Sequence, residues 1–352
     1  MGKKLSKKQE SSETVHSQKI DELMKTDNKE VQKEIKILVL GTGDSGKSTF
    51  IKQLQILYKG GFCEQDRFLY RTTIRVNLMY NMKTLIQIVE ELKINIQKRT
   101  QKIVKRFDRS KKYCEENLTE KMKNAIINLW SDPGFKEAYE RRNLFELPDS
   151  ANYYFDSCER IFKEDYQPND KDVLFCRIPT TGVNEIELQV NNKFWKVVDV
   201  GGQRSERRKW IHQFENVTII VYITSVSEFD QQLSEDRSIN RMHESLLLFD
   251  TISTGDFFKK KNFFILFNKI DLLKKKIQNV DLSVCFPKYK GGKDLNLAIK
   301  FIRDKFIEIG ENSKRNLFFQ QTCAIETEKI KNIFDSVTTT VLEDELKGSG
   351  YL

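Results

Sequence analysis

Hydrophobic and polar positions follow different patterns in successive parts of the chain. Residues 5–34 are polar and charged, and their apolar residues fit an amphipathic helix only weakly. The apolar run at 35–40 ends in a glycine-rich turn, which predicts a strand followed by a loop. From about 59 to 171 the spacing is helical, with proline-containing breaks at 132–134 and 147–149. The pattern therefore predicts a long all-helical stretch soon after the first strand.

Strand patterns return in the second half of the chain. They lie at 185–190, 194–198, 217–224, 262–267 and 317–321. Helical stretches separate most of them, which is typical of parallel βαβ units. We expect an α/β domain with a mostly parallel sheet, formed by residues 35–58 and 174–352 and interrupted by an all-α helical domain insertion at 59–173. An N-terminal amphipathic helix at 1–34 would precede it.

The composition narrows the class of protein. The chain has 352 residues, of which 39% are hydrophobic and 32% charged, as expected for two soluble globular domains. No run of 18 uncharged apolar residues occurs and no apolar signal segment opens the chain, so we expect neither a membrane span nor secretion. The six cysteines are then expected to be reduced thiols in the cytosol, and the three histidines lack zinc-ligand spacing.

Basic residues are unevenly distributed. Sixty Lys and Arg against 51 Asp and Glu leave a net charge of +9, which suggests an anionic partner without selecting one. Lys3, Lys4, Lys7 and Lys8 form one cluster, and 98–112 contains another. The second cluster could be a nucleic-acid stripe or a solvated helix face. Its apolar residues favour the helix face, and no known nucleic-acid motif is present, so we expect no nucleic-acid partner.

The strongest motif is a phosphate-binding loop. The segment Gly41-Thr42-Gly43-Asp44-Ser45-Gly46-Lys47-Ser48 matches GxxxxGK[ST], follows a predicted strand and opens a predicted helix at 49–56. Glycines allow successive backbone N–H groups to point at one anion, and the helix N-terminus adds partial positive charge. We expect Lys47 to reach the β- and γ-phosphates of a nucleotide and the Ser48 hydroxyl to coordinate Mg²⁺.

A second candidate metal ligand follows the strand at 194–198. Asp199 begins the sequence Asp-Val-Gly-Gly, at the edge of the sheet where the phosphate loop also lies. We expect Asp199 to hold Mg²⁺ through water, because Mg²⁺ keeps several of its waters. The backbone N–H of Gly202 could donate a hydrogen bond to a γ-phosphate oxygen.

The base-recognition motif follows the strand at 262–267. In Asn268-Lys269-Ile270-Asp271, the Asp271 carboxylate can accept hydrogen bonds from N1–H and the 2-amino group of guanine. Adenine has neither donor and would leave that carboxylate unpaired. The segment Thr322-Cys323-Ala324 can supply a backbone N–H to the guanine O6.

These motifs together resemble the alpha subunits of heterotrimeric G proteins. The resemblance rests on the ordered segments GTGDSGKST, DVLFCRIPTTG, DVGGQRSERRKW, NKID and TCA, and it extends over nearly the whole chain. It implies a Ras-like P-loop NTPase domain with a helical insertion, and the activity of a Mg²⁺-dependent GTPase. Small GTPases share several motifs but lack the insert and the arginine segment.

The resemblance also implies residue roles. Arg177 falls at the catalytic arginine, Gln203 at the glutamine that orients the attacking water, and Thr180 at the threonine that completes the Mg²⁺ shell. The expected catalytic residues are therefore Arg177, Gln203 and Lys47. The expected nucleotide-binding residues are Gly43, Asp44, Ser45, Gly46, Lys47, Ser48, Thr49, Asp149, Ser150, Leu174, Phe175, Cys176, Arg177, Thr180, Gly202, Asn268, Lys269, Asp271, Cys323 and Ala324.

Partner surfaces follow from the resemblance and from the N-terminus. Gly2, in a pattern that fits N-myristoylation, and the adjacent lysines predict attachment to the cytoplasmic face of the plasma membrane. The resemblance implies a beta-gamma dimer bound in the GDP state. It also implies a membrane receptor contacted by 347–352, and effectors and GTPase-activating regulators contacted by 175–183 and 201–213.

Several positions depart from the family pattern. Pro179 replaces a usual lysine, Phe175 and Cys176 replace arginine and threonine, and Asp44 stands for the usual glutamate. The other functional class considered is a metabolic P-loop kinase or ATPase. Asp271 and the lack of a second substrate motif favour the GTP-driven switch.

Overall fold

The protein was analysed as a computed structural model, which describes residues 34–107, 118–145, 147–259, 261–313 and 316–348. The predicted N-terminal helix, Gly2 and the last four residues therefore lie outside the described residues. In the part of the chain that is described, no helix has both the length and the apolar character that crossing a membrane requires.

A six-stranded sheet forms the centre of the α/β domain. Its strands are β1 (Glu34–Leu40), β2 (Val183–Val190), β3 (Lys193–Val200), β4 (Val217–Ser225), β5 (Asn262–Asn268) and β6 (Leu317–Gln321). The strand order is β2-β3-β1-β4-β5-β6, and only the β2–β3 pair is antiparallel. The expected mostly parallel sheet is confirmed. The carboxyl ends of β1, β3, β4 and β5 consequently meet at one edge, where loops can share a ligand.

Thirteen residues of β1 and β4 are buried, because apolar clusters cover both faces of the sheet. The helices that cover it are α1 (Lys47–Tyr58), α9 (Arg241–Thr254), α10 (Ile270–Lys276), α11 (Leu295–Ser313) and α12 (Thr327–Gly348).

 Of the thirteen buried residues in these two strands, five lie in β1 and eight lie in β4. A strand buried on both faces is expected for a parallel sheet with helices on either side.

The insert between β1 and β2 is helical throughout its described part. Its helices are α2 (Glu64–Glu91), α3 (Lys98–Arg106), α4 (Glu120–Trp130), α5 (Pro133–Glu140), α6 (Ala151–Asp156), α7 (Cys158–Ile161) and α8 (Asp170–Phe175). They share an apolar core separate from the two sheet cores. The predicted break at 132–134 is where α5 begins, because Asp132 caps it by accepting the Gly134 N–H at 2.9 Å. Helix α8 ends at Phe175, two residues beyond the predicted end of the insert at 173.

Candidate functional site

The phosphate loop joins β1 to α1 and is shaped by its glycines. Gly46 has a φ of 106°, and a Cβ atom there would collide with the Asn268 amide. Lys47 is buried, and its ammonium donates to the carbonyl oxygens of Gly41 at 3.1 Å and Thr42 at 2.8 Å. Burial lowers the pKa of Lys47, with Asp199 opposing the shift. The Lys47 ammonium is therefore held inside the loop, directly beside the N-terminus of α1.

Three oxygen-bearing side chains from distant parts of the chain meet next to this loop. The Ser48 hydroxyl lies 2.7 Å from the Thr180 hydroxyl and donates to Asp199 Oδ2 at 2.7 Å. Burial raises the pKa of Asp199, with Lys47 opposing the shift. Asp199 Oδ1 is buried and has no hydrogen-bond partner among the described residues. Hydroxyl and carboxylate oxygens are the donors that Mg²⁺ prefers, so this group fits the predicted metal.

The segment after β3 lies against the phosphate loop. A Cβ atom at Gly202 would collide with the Lys47 ammonium, so only glycine allows this approach. Gln203 is exposed, and its Cγ lies 3.6 Å from where a Cβ on Gly43 would be. The two residues predicted to meet the γ-phosphate and the attacking water are thus both beside the loop.

Arg177 also lies at the loop, where it forms an ion pair. Its Nη2 is 2.9 Å from Asp44 Oδ2, and the Arg241 guanidinium lies 3.5 Å from the same oxygen. Burial opposes ionisation of Asp44, but Arg177 and Arg241 hold its pKa below the usual value. The Arg177 carbonyl accepts a hydrogen bond from Asn77 Nδ2 at 2.8 Å. The predicted catalytic arginine is therefore fixed beside the phosphate loop by both its side chain and its backbone.

The base-recognition motif is tied to the phosphate loop through Asn268. Its Nδ2 donates to the Ser45 carbonyl at 2.8 Å, and its Oδ1 accepts from the Ala324 N–H at 2.9 Å. Asp271 lies in the first turn of α10 and is half-buried. Burial and a hydrogen bond with Asp271 raise the pKa of the Cys323 thiol to about 12, which keeps this thiol neutral. The structure thus brings the NKID and TCA segments into contact.

Lys269 connects the base-recognition motif to the helical insert. Its ammonium lies 2.7 Å from Glu228 Oε1 and 3.1 Å from Asp149 Oδ2. Burial lowers the pKa of Lys269, but Glu228 and Asp149 outweigh it and raise the pKa overall. The predicted insert residue Asp149 thus reaches the site, and Ser150 follows it as the residue before α6.

In the segment that precedes Arg177, the side chains of Phe175 and Cys176 pack in the apolar core of the helical insert. The Phe175 ring stacks on Tyr153, with centroids 4.5 Å apart and planes inclined by 22°. Leu174 and Cys176 are buried, and burial raises the pKa of the Cys176 thiol to about 11. Contacts predicted from Leu174, Phe175 and Cys176 to a nucleotide would therefore have to come from their backbone.

Charged residues around the segment 201–213 were not predicted as site residues. Glu244 is buried and accepts from Arg204 Nε at 3.0 Å and from Arg207 Nη1 at 2.7 Å. The Trp210 indole is buried and donates to the Gly201 carbonyl at 2.8 Å. Arg241 and Glu244 both lie in Asn240-Arg241-Met242-His243-Glu244-Ser245, a further segment of the sequence that resembles the G-protein alpha subunits, and that resemblance was the signal that could have found them. Glu228 lies in no recognised motif.

No group of three or more His, Cys, Asp or Glu side chains in the described segments could hold a metal ion. The group formed by Ser48, Thr180 and Asp199 combines two hydroxyls with one carboxylate, so it is of a different kind.

Comparisons with known proteins agree with this geometry. A family model described as "G-protein alpha subunit" matches residues 14–341. The chain is 39% identical over 341 residues to the guanine nucleotide-binding protein alpha-17 subunit of Caenorhabditis elegans, covering 92% of this chain and 96% of that protein. It is 36% identical over 342 residues to the G(o) subunit alpha of Locusta migratoria, with 95% of each chain covered. A guanine nucleotide-binding protein subunit alpha of Emericella nidulans is 36% identical over 338 residues, with 96% of each covered.

Proposed function

The chain belongs to the G-protein alpha-subunit family, whose members are GTPases that bind GTP and GDP, and on this premise we propose that it acts as a nucleotide-driven signalling switch. The observation that supports the proposal best is the meeting of Ser48, Thr180 and Asp199. Thr180 brings the segment 175–183 to the phosphate loop, and Asp199 lies in β3, the strand that leads directly into the segment 201–213. A switch of this kind needs surface segments whose position depends on the γ-phosphate, and these two segments are suitably placed.

We assign the Mg²⁺ site to Ser48, Thr180 and, through water, Asp199. When bound, Mg²⁺ would neutralise negative charge on the β- and γ-phosphate oxygens. The buried and unpartnered Asp199 Oδ1 supports this assignment, because a buried carboxylate oxygen without a donor is costly.

Hydrolysis of GTP to GDP and phosphate depends on placing the attacking water and on neutralising charge at the γ-phosphoryl oxygens. We assign the first task to Gln203, whose side chain lies over Gly43. The second task falls to Lys47 and Arg177. Asp44 holds the Arg177 guanidinium beside the loop at 2.9 Å, and a γ-phosphate bound there would compete with Asp44 for the same cation.

The nucleotide preference separates this function from a kinase or ATPase. Asp271 is proposed to select guanine, as its carboxylate matches two donors that adenine lacks. In competition with a fluorescent GTP analogue, GTP and GDP should displace the probe, whereas ATP should not do so at a hundredfold higher concentration. A discrimination of about 10² or more is expected because adenine offers the Asp271 carboxylate neither of the two donors that guanine provides. Equal displacement by ATP would contradict the proposal.

The switch itself can be followed through Trp210. Adding a non-hydrolysable GTP analogue to the GDP-bound protein should change tryptophan emission, because Trp210 is a buried residue of the segment 201–213 that is expected to rearrange. Trp210→Phe should abolish the change, whereas Trp130→Phe, in the helical core, should retain it. Identical emission with both nucleotides would contradict a switch at this segment.

The partner assignments rest on the family and the N-terminal pattern. We propose that a beta-gamma dimer contacts 204–213 and the N-terminal helix in the GDP state, and that a membrane receptor contacts 347–352. Effectors and GTPase-activating regulators would contact the segments 175–183 and 201–213. Membrane attachment would use Gly2 and the four nearby lysines. Gly2→Ala should move the protein from membrane to cytosolic fractions, and unchanged fractionation would argue against lipidation.

A further inference from the structure

Lys52 is a buried lysine on α1 that the mechanism above does not use. Only 9% of the residue is exposed, and its ammonium donates to two backbone carbonyls, of Val173 at 3.0 Å and Cys176 at 2.7 Å. The Tyr70 ring lies under the ammonium, with its centroid 5.1 Å away. No carboxylate lies within ion-pair distance among the described residues. Burying a lysine without an acidic partner is costly, so the contacts it makes must be specific.

Val173 lies in the last turn of α8, and Cys176 is the residue between the end of α8 and Arg177. The Val173 carbonyl also accepts the backbone N–H of Cys176 at 3.1 Å, and a cation near the last carbonyls of a helix is favourable. Lys52 therefore links α1 both to the last turn of α8 and to the residue that leads into Arg177. The Arg177 carbonyl is held from the other side by Asn77 of α2 at 2.8 Å. The arginine segment is thus attached both to the phosphate-loop helix and to the insert.

We propose that Lys52 is a positioning residue for Arg177. Its ammonium holds the arginine segment against the helix that begins with the phosphate-binding lysine, and so fixes the distance over which the Arg177 guanidinium must move to meet a γ-phosphate. Lys52 does not contact the phosphate loop's carbonyls as Lys47 does, so its role is indirect. This inference rests on the proposed catalytic role of Arg177. A displacement of about 1 Å in a catalytic group can slow a reaction about a hundredfold.

The test is a double-mutant cycle on single-turnover GTP hydrolysis. Lys52→Met keeps the length of the side chain and removes the donors, and Arg177→Gln removes the guanidinium. We expect Lys52→Met to slow hydrolysis about tenfold or more when Arg177 is present, and less than about twofold in the Arg177→Gln background. Lys59→Met, at the exposed end of the same helix, is the matched control and should hydrolyse GTP like the unmodified chain.

The outcomes distinguish failure of the positioning role of Lys52 from failure of the catalytic role of Arg177. Equal slowing by Lys52→Met in both backgrounds, or no slowing in either, would overturn the positioning role. If Arg177→Gln hydrolyses GTP at the unmodified rate, the proposed role of Arg177 fails and this inference fails with it. Lys52→Arg keeps the donors and provides a second variant if Lys52→Met does not fold. It should bind GTP normally and show a smaller slowing, again only with Arg177 present, and slowing in both backgrounds would count against the proposal.

Discussion

The hydroxyl oxygens of Ser48 and Thr180 lie 2.7 Å apart, although 132 positions separate the two residues in the chain. Ser48 belongs to the first turn of α1, whereas Thr180 lies in the irregular segment between α8 and β2. The segment that carries Thr180 has few other polar contacts to the phosphate loop apart from the Arg177–Asp44 pair. A ligand shared by these hydroxyls would therefore decide whether the segment stays attached to the loop.

Thr180→Ala should reduce the effect of Mg²⁺ on binding of a GTP analogue and leave GDP affinity nearly unchanged. Thr180 is proposed as a metal ligand only while the γ-phosphate is present, so its loss should matter only in that state. Dissociation rates of the two nucleotides, measured with and without Mg²⁺, would show this. Thr181→Ala, an exposed neighbour, is the matched control. Equal weakening of GDP and GTP-analogue binding by Thr180→Ala would contradict the assignment.

Gln203→Leu should bind GTP normally and hydrolyse it about a hundredfold more slowly or worse, because a leucine cannot hold a water in place for attack. The side chain is exposed, so the substitution should leave folding intact. Single-turnover hydrolysis of preloaded GTP provides the measurement. Gln189→Leu, at an exposed position on edge strand β2, provides the chemical control. An unchanged rate would remove Gln203 from the mechanism.

Local sequence patterns predicted most of the secondary structure. The strand at 317–321 has the predicted bounds, and the other five differ from prediction by one to two residues at their ends. These strands could be predicted because apolar runs bounded by turn residues depend only on neighbouring positions. The apolar spacing across 151–162 predicts one helix, whereas the structure has two short helices, α6 and α7, separated at Ser157. Apolar periodicity continued across that break and gave no signal of it.

The motif residues of the site were predictable because each motif lies within a few positions of the chain. The pairs that support them were not, since Asp44 with Arg241 and Lys269 with Glu228 join residues far apart in sequence. A charged residue in a sequence is most often a solvated surface residue, and nothing local distinguishes one that is buried in an ion pair. The fold was needed to bring these charges together around the loop.

Asp271→Asn should weaken GTP binding about a hundredfold and improve binding of xanthosine triphosphate. The asparagine side chain keeps one acceptor for N1–H, but its amide N–H₂ faces the guanine 2-amino group, donor against donor. Xanthine carries a carbonyl at that position, so the same amide can donate to it. Competition binding with both nucleotides would measure the exchange. Asp304→Asn, at an exposed position of α11, is the control and should change neither affinity. If Asp271→Asn weakened binding of both nucleotides equally, the substitution would have disrupted the site rather than altered its selectivity.

Glu244→Gln should destabilise the protein by about 2 kcal/mol at pH 7, because it removes the charge that two guanidinium groups meet in a buried position. The hydrogen bond from Arg204 lowers the pKa of Glu244 below its ordinary 4.5, with burial opposing and Arg207 adding to the shift. A lowered native pKa stabilises the fold above the unfolded pKa, and this stabilisation is lost as pH falls through the native value. The difference in free energy of unfolding between the unmodified chain and Glu244→Gln should therefore be constant from pH 7 to about 5 and shrink below 4.5.

Urea unfolding at pH 7, 5 and 4 measures this difference. Glu308→Gln, which breaks an exposed pair with Lys305, should cost well under about 1 kcal/mol at each pH. A difference for Glu244→Gln that stays the same at pH 4 as at pH 7 would show that the ionised carboxylate is not the source of the stability.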